Sequence, residues 1–386
     1  MSELFPDYQP FWENEEHDLL RKHATAFFAK ECTPNQERWA DQHQVDRDFW
    51  NKAGAAGLLC PELPEQYGGG GGNFGHEAVV SNELSLTGDT AFGYGVHSTI
   101  CAHYLAAFGT EEQKERWLPS VISGDAVLAI AMTEPGTGSD LQAVRTTAVV
   151  DGNDYVINGS KTFISNGTHC DLLIIVAKTD PTQGAKGISL IVAETNGLDG
   201  FERGRVLKKI GQHGQDTREL FFTDMRVPVA NLLGGVEGQG FYQLMRQLPR
   251  ERLSIALNGV AMAEAAVIEA IRYAKDRQAF KQPILDFQNT RFVLAECKAD
   301  VLAGKTLIDY CIQSYIDGTL DAAGASIAKM WATDMQCRVI DKCLQIFGGY
   351  GYMEEYPIAR MYSAARVQKI YGGTNEIMKE LIGRTL

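Results

Sequence analysis

The chain changes texture twice, and these two changes constrain its fold more than any single motif. From Glu15 to about Gly124, apolar residues such as Leu19, Leu20, Ala24, Phe27 and Phe28 recur at three- and four-residue steps, the period of helices packed on one face. Thr110-x-x-Gln113 reads as a capping box opening a further helix. From roughly Ala126 to Leu233 the pattern shortens to β-rich runs: Val127 to Met132, Tyr155 to Ile157, Leu172 to Ala177, Ile188 to Val192 and Glu219 to Thr223. Asp151-Gly152 and Asn158-Gly159 between them are hairpin signals. Beyond Gly240 helical periodicity returns over Ser254 to Lys275, Thr290 to Ser314, Ala325 to Ile346 and Asn375 to Ile382, with Gly and Pro gathered between these stretches. The expectation is an α+β multidomain chain: an N-terminal α-helical domain over 1–125, a middle antiparallel β domain over 126–234 and a C-terminal helical bundle over 235–386.

A length of 386 residues with 45% apolar content suits two or three buried cores. The net charge of −13 repels phosphate backbones and anionic lipid, so nucleic-acid and membrane-surface roles have little support. An anionic ligand needs a local basic site. Eight cysteines without a Cys-x-x-Cys pair or matched histidine spacing read as reduced and mostly buried. The acidic amino terminus, Met1 to Asp7, has no leader pattern, and no run of 18 uninterrupted apolar residues occurs. A bacterial cytoplasmic protein is the expectation, and a mature mitochondrial matrix form would look the same.

The run Gly68 to Gly72 with Gly75 forms a formal Gly-x-Gly-x-x-Gly, but Pro61 and Pro64 exclude the strand that a dinucleotide fold places before it. All eight histidines lie at or before His213, so chemistry in the last third must rely on carboxylates as bases. Glu251, in Leu248-Pro249-Arg250-Glu251-Arg252, reads on pattern alone as a glutamate in the first turn of a helix. Pro135-Gly136 reads as a turn between strands, Arg277 as a solvated helix end and Lys186 as a loop lysine.

Ile130-Ala131-Met132-Thr133-Glu134-Pro135-Gly136-Thr137-Gly138-Ser139-Asp140 resembles the flavin signature of acyl-CoA dehydrogenases. The resemblance continues through Phe163-Ile164-Ser165, Arg277, Gln288 and Gln345-Ile346-Phe347-Gly348-Gly349 to Thr374-Asn375-Glu376, and so spans essentially the whole chain. It implies the family fold with a C-terminal four-helix bundle, an FAD cofactor, and oxidation of an acyl-CoA to its trans-2-enoyl-CoA in fatty acid β-oxidation. It also implies an electron-transfer flavoprotein as acceptor and a homotetramer, a dimer of dimers, in which Arg277, Gln288 and Gln345 to Gly349 reach the flavin of a neighbouring subunit. Ala185, Lys186, Tyr242, Pro249, Arg250 and Arg252 match acyl-CoA contact positions, and Ser139 meets the acyl-CoA. Gly372 stands where many members carry the catalytic glutamate, and Glu251 is the base in the long-chain and isovaleryl-type branches, which have small residues at the positions of Gly372 and Gly373. The backbone N–H of Gly372 matches the donor to the thioester carbonyl. Phe163 replaces a frequent Trp, and Lys281 stands where glycine is usual. A flavin monooxygenase or oxidase on the same fold, and a non-catalytic partner subunit of a mixed oligomer, are the alternatives.

Overall fold

The computed structural model describes residues 3–386, and among them the three textures become three packed bodies. Six α-helices come first: α1 (Glu15–Glu31), α2 (Gln36–Gln42), α3 (Arg47–Ala55), α4 (Phe74–Leu86), α5 (Ala102–Phe108) and α6 (Glu111–Ser123). The Thr110 side chain accepts from Gln113 N while Gln113 returns a bond to Thr110 N, so the capping box opens α6 as expected. Gly124 closes the same helix in the left-handed region at φ 80°. The glycine-rich run ends at Asn73, which caps α4, and no strand precedes it.

The middle body is one seven-stranded sheet: β1 (Val127–Ala131), β2 (Thr147–Asp151), β3 (Asp154–Ser165), β4 (Cys170–Lys178), β5 (Ile188–Glu194), β6 (Phe201–Val206) and β7 (Thr217–Pro228). Pairing is mostly antiparallel, as expected, but β1 lies parallel to β4 and Thr147 of β2 makes a parallel bridge to Lys178. Asp151-Gly152 does turn β2 into β3. Asn158-Gly159 does not make a hairpin: it lies inside β3, where the register to β7 shifts between Ile157 and Gly159 and the Asn158 side chain bonds Asp224. There the Asn-Gly chemistry serves a bulge. Strand β4 is apolar from Leu172 to Ala177 because both of its faces are covered there. Leu172, Ile174 and Val176 pack into the core of the helical domain, while Leu173, Ile175 and Ala177 pack into that of the sheet.

Three long helices dominate the last body, α7 (Gly240–Asp276), α8 (Gln288–Ile316) and α9 (Ala322–Phe347), with the shorter α10 (Pro357–Ala365) and α11 (Asn375–Gly383) beside α9. Helix α7 begins well before Glu251, contrary to the first-turn reading. Pro249 sits inside the helix and removes only its own donor to the carbonyl four residues back. By length and composition α7 is apolar enough to cross a bilayer, yet 83% of its most apolar stretch is buried inside the protein. Its core is shared with Phe74 and Ala78 of α4, which locks the first and last bodies together.

Lys281 is resolved by the same logic. It follows Phe280 at the tip of a two-residue hairpin turn between strands β8 (Gln278–Ala279) and β9 (Gln282–Pro283), both tip residues having positive φ. A lysine therefore takes the left-handed position that suits glycine, and the turn is kept. Gly124 is less tolerant, because a Cβ there would stand 2.2 Å from the Trp50 carbonyl oxygen. Gly124→Ala should destabilise the protein by at least about 2 kcal/mol from left-handed strain and overpacking together, measured as a fall in the denaturation midpoint.

Candidate active site

Glu251 is the natural starting point, a carboxylate only 5% exposed in the middle of α7. The buried Tyr104 hydroxyl of α5 donates to its Oε1 at 2.7 Å. Burial pushes the Glu251 carboxyl above the usual glutamate range, and the Tyr104 hydrogen bond and the charge of Arg252 pull it partly back. A group so placed binds a proton more readily than a surface glutamate, as a general base requires.

One helical turn on, Ile255 marks the meeting with Gly372. A Cβ built on Gly372 would lie 2.3 Å from Ile255 Cδ1, so a side chain there enters the space beside the face of α7 that carries Glu251. Gly372 and Gly373 both adopt positive φ, 63° and 90°. Their carbonyls are held by buried cations: Arg252 Nε is 3.5 Å from Gly372 O, and Lys329 Nζ donates to Gly373 O at 2.8 Å and to Asn375 Oδ1 at 2.9 Å. Burial and the neighbouring Arg252 push the Lys329 ammonium down to about 8. The N–H of Gly372 meets no acceptor among the described residues. An N–H left free in this way can donate to a carbonyl oxygen and polarise it.

The second cluster lies at the sheet. Ile130 and Ala131 end β1, Met132 and Thr133 follow, and Thr162 N donates to Thr133 O, tying this segment to Phe163, Ile164 and Ser165 at the end of β3. Phe163 is 66% exposed and has φ 60°, an uncommon state for a bulky residue and one found where a site demands it. Gly136 and Gly138 have nothing within 4 Å of a built Cβ, and Ser139 is exposed beside them. Beneath this open ground lies a buried pair. Lys161 Nζ donates to Glu134 Oε1 at 2.9 Å and to the carbonyls of Val176 and Met132, while Glu134 also receives the backbone N–H groups of Arg145 and Thr146.

A third group collects around Arg277. With Ile346, Phe347, Gly348 and Gly349 it lines a cavity of about 480 Å³, while Gln288 and Gln345 are exposed nearby in sequence on α8 and α9. Gln288 opens α8, whose first turn has no side-chain cap and so presents free N–H groups. Ala185 and Lys186 pack near the start of α7, where a Cβ on Gly238 would touch the Lys186 carbonyl, and exposed Tyr242 stands on that same first turn.

Profiles of the N-terminal, middle and C-terminal domains of acyl-CoA dehydrogenase match residues 14–125, 129–225 and 238–386. The long-chain specific acyl-CoA dehydrogenase of Sus scrofa, a mitochondrial protein, is 46% identical over 97% of this chain and 87% of its own length. The chain belongs to the acyl-CoA dehydrogenase family. An acyl-CoA dehydrogenase from Geobacillus kaustophilus superposes with a TM-score of 0.95 at 44% identity, covering 98% of this chain and 99% of the other. One from Bacillus anthracis, solved complexed with FAD, gives a TM-score of 0.92 at 31% identity, covering 100% of this chain and 69% of the other.

Two residues expected at an acyl-CoA dehydrogenase site are buried and hydrogen-bonded within the protein. Arg250 is fully buried with its guanidinium engaged by Glu62 at 2.6 Å, the Thr99 carbonyl at 2.7 Å, His103 at 2.8 Å and the Tyr315 hydroxyl at 3.4 Å, so it joins α7 to the helical domain and to α8. Asn375 is also buried, its amide engaged by Lys329 and Thr333, which leaves only Thr374, capping α11, and exposed Glu376 at the surface of that tail. Tyr104, Lys161 and Lys329 were not singled out from the sequence. A lysine at 329 on the apolar face made by Ala325, Ala328 and Ala332 was the one signal available. Breaking the buried pair with Lys161→Met should cost about 3 to 5 kcal/mol, because Glu134 is left charged and out of water, and a denaturant titration will measure it.

Proposed function

We propose that Glu251 is the base with which this acyl-CoA dehydrogenase, an FAD enzyme, removes the α-proton of a bound acyl-CoA. The observation that carries the reading is a buried, upshifted carboxylate on α7 beside a glycine turn whose N–H is unclaimed. The substrate's thioester carbonyl accepts from the Gly372 N–H, which acidifies the α-carbon, and the proton moves to Glu251. When bound, FAD supplies the two-electron sink that takes the β-hydrogen as hydride, leaving a trans-2-enoyl-CoA.

The residues present fit that cofactor. Exposed Phe163, with the Thr133 and Ser165 hydroxyls and the bare ground at Gly136 and Gly138, suits a flat ring with polar edges. Arg277, with the uncapped start of α8 at Gln288, suits a pyrophosphate, and we assign it to the flavin of a neighbouring subunit in a homotetramer. Lys186, Tyr242 and Ser139 would hold the acyl-CoA, with Ala185 and Pro249 as its apolar neighbours. Electron-transfer flavoprotein is the acceptor this reading implies, in a bacterial cytoplasm or a mitochondrial matrix.

Glu251→Gln keeps the shape and cannot take a proton. Flavin reduction by saturating acyl-CoA in a stopped-flow instrument should fall by about 10²- to 10⁴-fold, with flavin content unchanged. A near wild-type rate would remove Glu251 from the role. In the wild-type protein the same rate should rise with pH along a limb above the usual glutamate range, because the base works only when deprotonated and burial raises its pKa. Arg277→Ala should weaken FAD retention and subunit assembly together, read by flavin absorbance and sedimentation.

A further inference from the structure

The stretch Gly95–Cys101 that leads into α5 is π-helical. A π turn spends an extra residue per turn and so rotates everything that follows it, and such turns gather at functional sites. It is clamped against β1. The Leu128 N–H donates to Nδ1 of buried His97, which leaves Nε2 carrying the proton for the Val121 carbonyl. Three residues beyond this stretch, Tyr104 points away from the helical domain's surface and into α7, fully buried, and its hydroxyl finds Glu251 Oε1 at 2.7 Å. No other hydrogen bond to the Glu251 carboxylate comes from the described residues, so Oε2 is left without a protein donor.

We propose that Tyr104 is the positioning residue of the base, occupying Oε1 of Glu251 so that Oε2 alone faces the α-hydrogen of the substrate. This rests on the reading of Glu251 given above. The proton then passes from the α-carbon to Oε2, while Tyr104 keeps its own proton and goes on donating to Oε1 in both charge states of the glutamate. Burial and the adjacent carboxylate hold the phenol well above its usual range, which keeps it a donor throughout. The remaining titratable and charged groups that face Glu251 are few. Cys101 of the π-helical stretch is a buried neutral thiol, Arg252 follows on α7, and Lys329 of α9 stands behind Arg252. None of these donates a hydrogen bond to the carboxylate. Tyr104 is thus the group that orients it, and Arg252 acts on it only through charge.

The test compares three holoenzyme variants, each with its pH profile of flavin reduction at saturating acyl-CoA. Tyr104→Phe should leave acyl-CoA affinity and flavin content in place, lower the limiting rate by about 10- to 100-fold, and move the acid limb to higher pH, because the carboxylate loses its donor. Placing 3,5-difluorotyrosine at 104 keeps the ring and the hydroxyl but strengthens the donor, and should move the limb the opposite way, to lower pH. Glu251→Gln separates this inference from the one beneath it. A near wild-type rate in that variant removes the base and Tyr104's role with it. An inactive Glu251→Gln together with an unmoved limit and limb in Tyr104→Phe leaves the base standing and overturns the role of Tyr104. Should Tyr104→Phe fail to fold, the fluorinated protein decides, since an unmoved limb there overturns the proposal equally.

Discussion

Helix α7 packs against elements of all three bodies, and three consecutive charges in its interior, Arg250, Glu251 and Arg252, lie where they meet. Successive residues on a helix point about 100° apart, so three neighbours in sequence address three different surroundings. Arg250 reaches Glu62 and the Thr99 carbonyl in the helical domain, Glu251 meets Tyr104, and Arg252 turns toward Gly372 and Ser326 in the C-terminal body. Each charge is buried, and each is costly unless its partner is present. The relative placement of the bodies and the surroundings of the Glu251 carboxylate therefore depend on the same few side chains.

The loops around the site are held the same way. Neither the segment after β1 nor the Gly372-Gly373 turn has the apolar bulk to pack itself down. Each is fixed from below by a buried lysine that binds carbonyls and a side-chain oxygen, Lys161 with Glu134 and Lys329 with Asn375. Such polar supports are strong when complete and fail when one member is lost, because the low dielectric that strengthens the bonds also penalises the orphan. They also leave the upper surface of each loop bare for a ligand. Glycine serves that end twice, since Gly136 and Gly138 carry nothing outward and the Gly372 N–H meets no acceptor among the described residues.

Much of this could be read directly. The order of helical, β and helical thirds follows from periodicity, because a buried stripe repeats every 3.6 residues in a helix and every two in a strand. Thr110 and Gln113 announced their cap because a capping box is local chemistry. Glu251 could be singled out only through a family likeness; nothing in its own neighbourhood distinguishes it from a helix glutamate on the surface. The misread positions share one cause. Asn158-Gly159 has the residues of a hairpin and forms a bulge because β7 continues alongside it, and Glu251 has the look of a first-turn glutamate and sits well within α7. The parallel pairing of β1 with β4 joins strands separated by a long excursion, which no short-range pattern encodes.

By itself, then, the sequence determined the secondary structure of its long periodic stretches, the glycine positions that must stay bare, and the family to which the chain belongs, because these are written in local spacing and residue type. Only the tertiary structure decided that Arg250 spends its donors inside the protein while Glu251, one residue on, meets a tyrosine from a distant helix. It alone decided that Asn375 is a buried support and that Lys161 and Lys329 hold the loops. The physical reason is that the burial of a polar group, and with it its charge state and reach, is set by whatever packs against it from elsewhere in the chain.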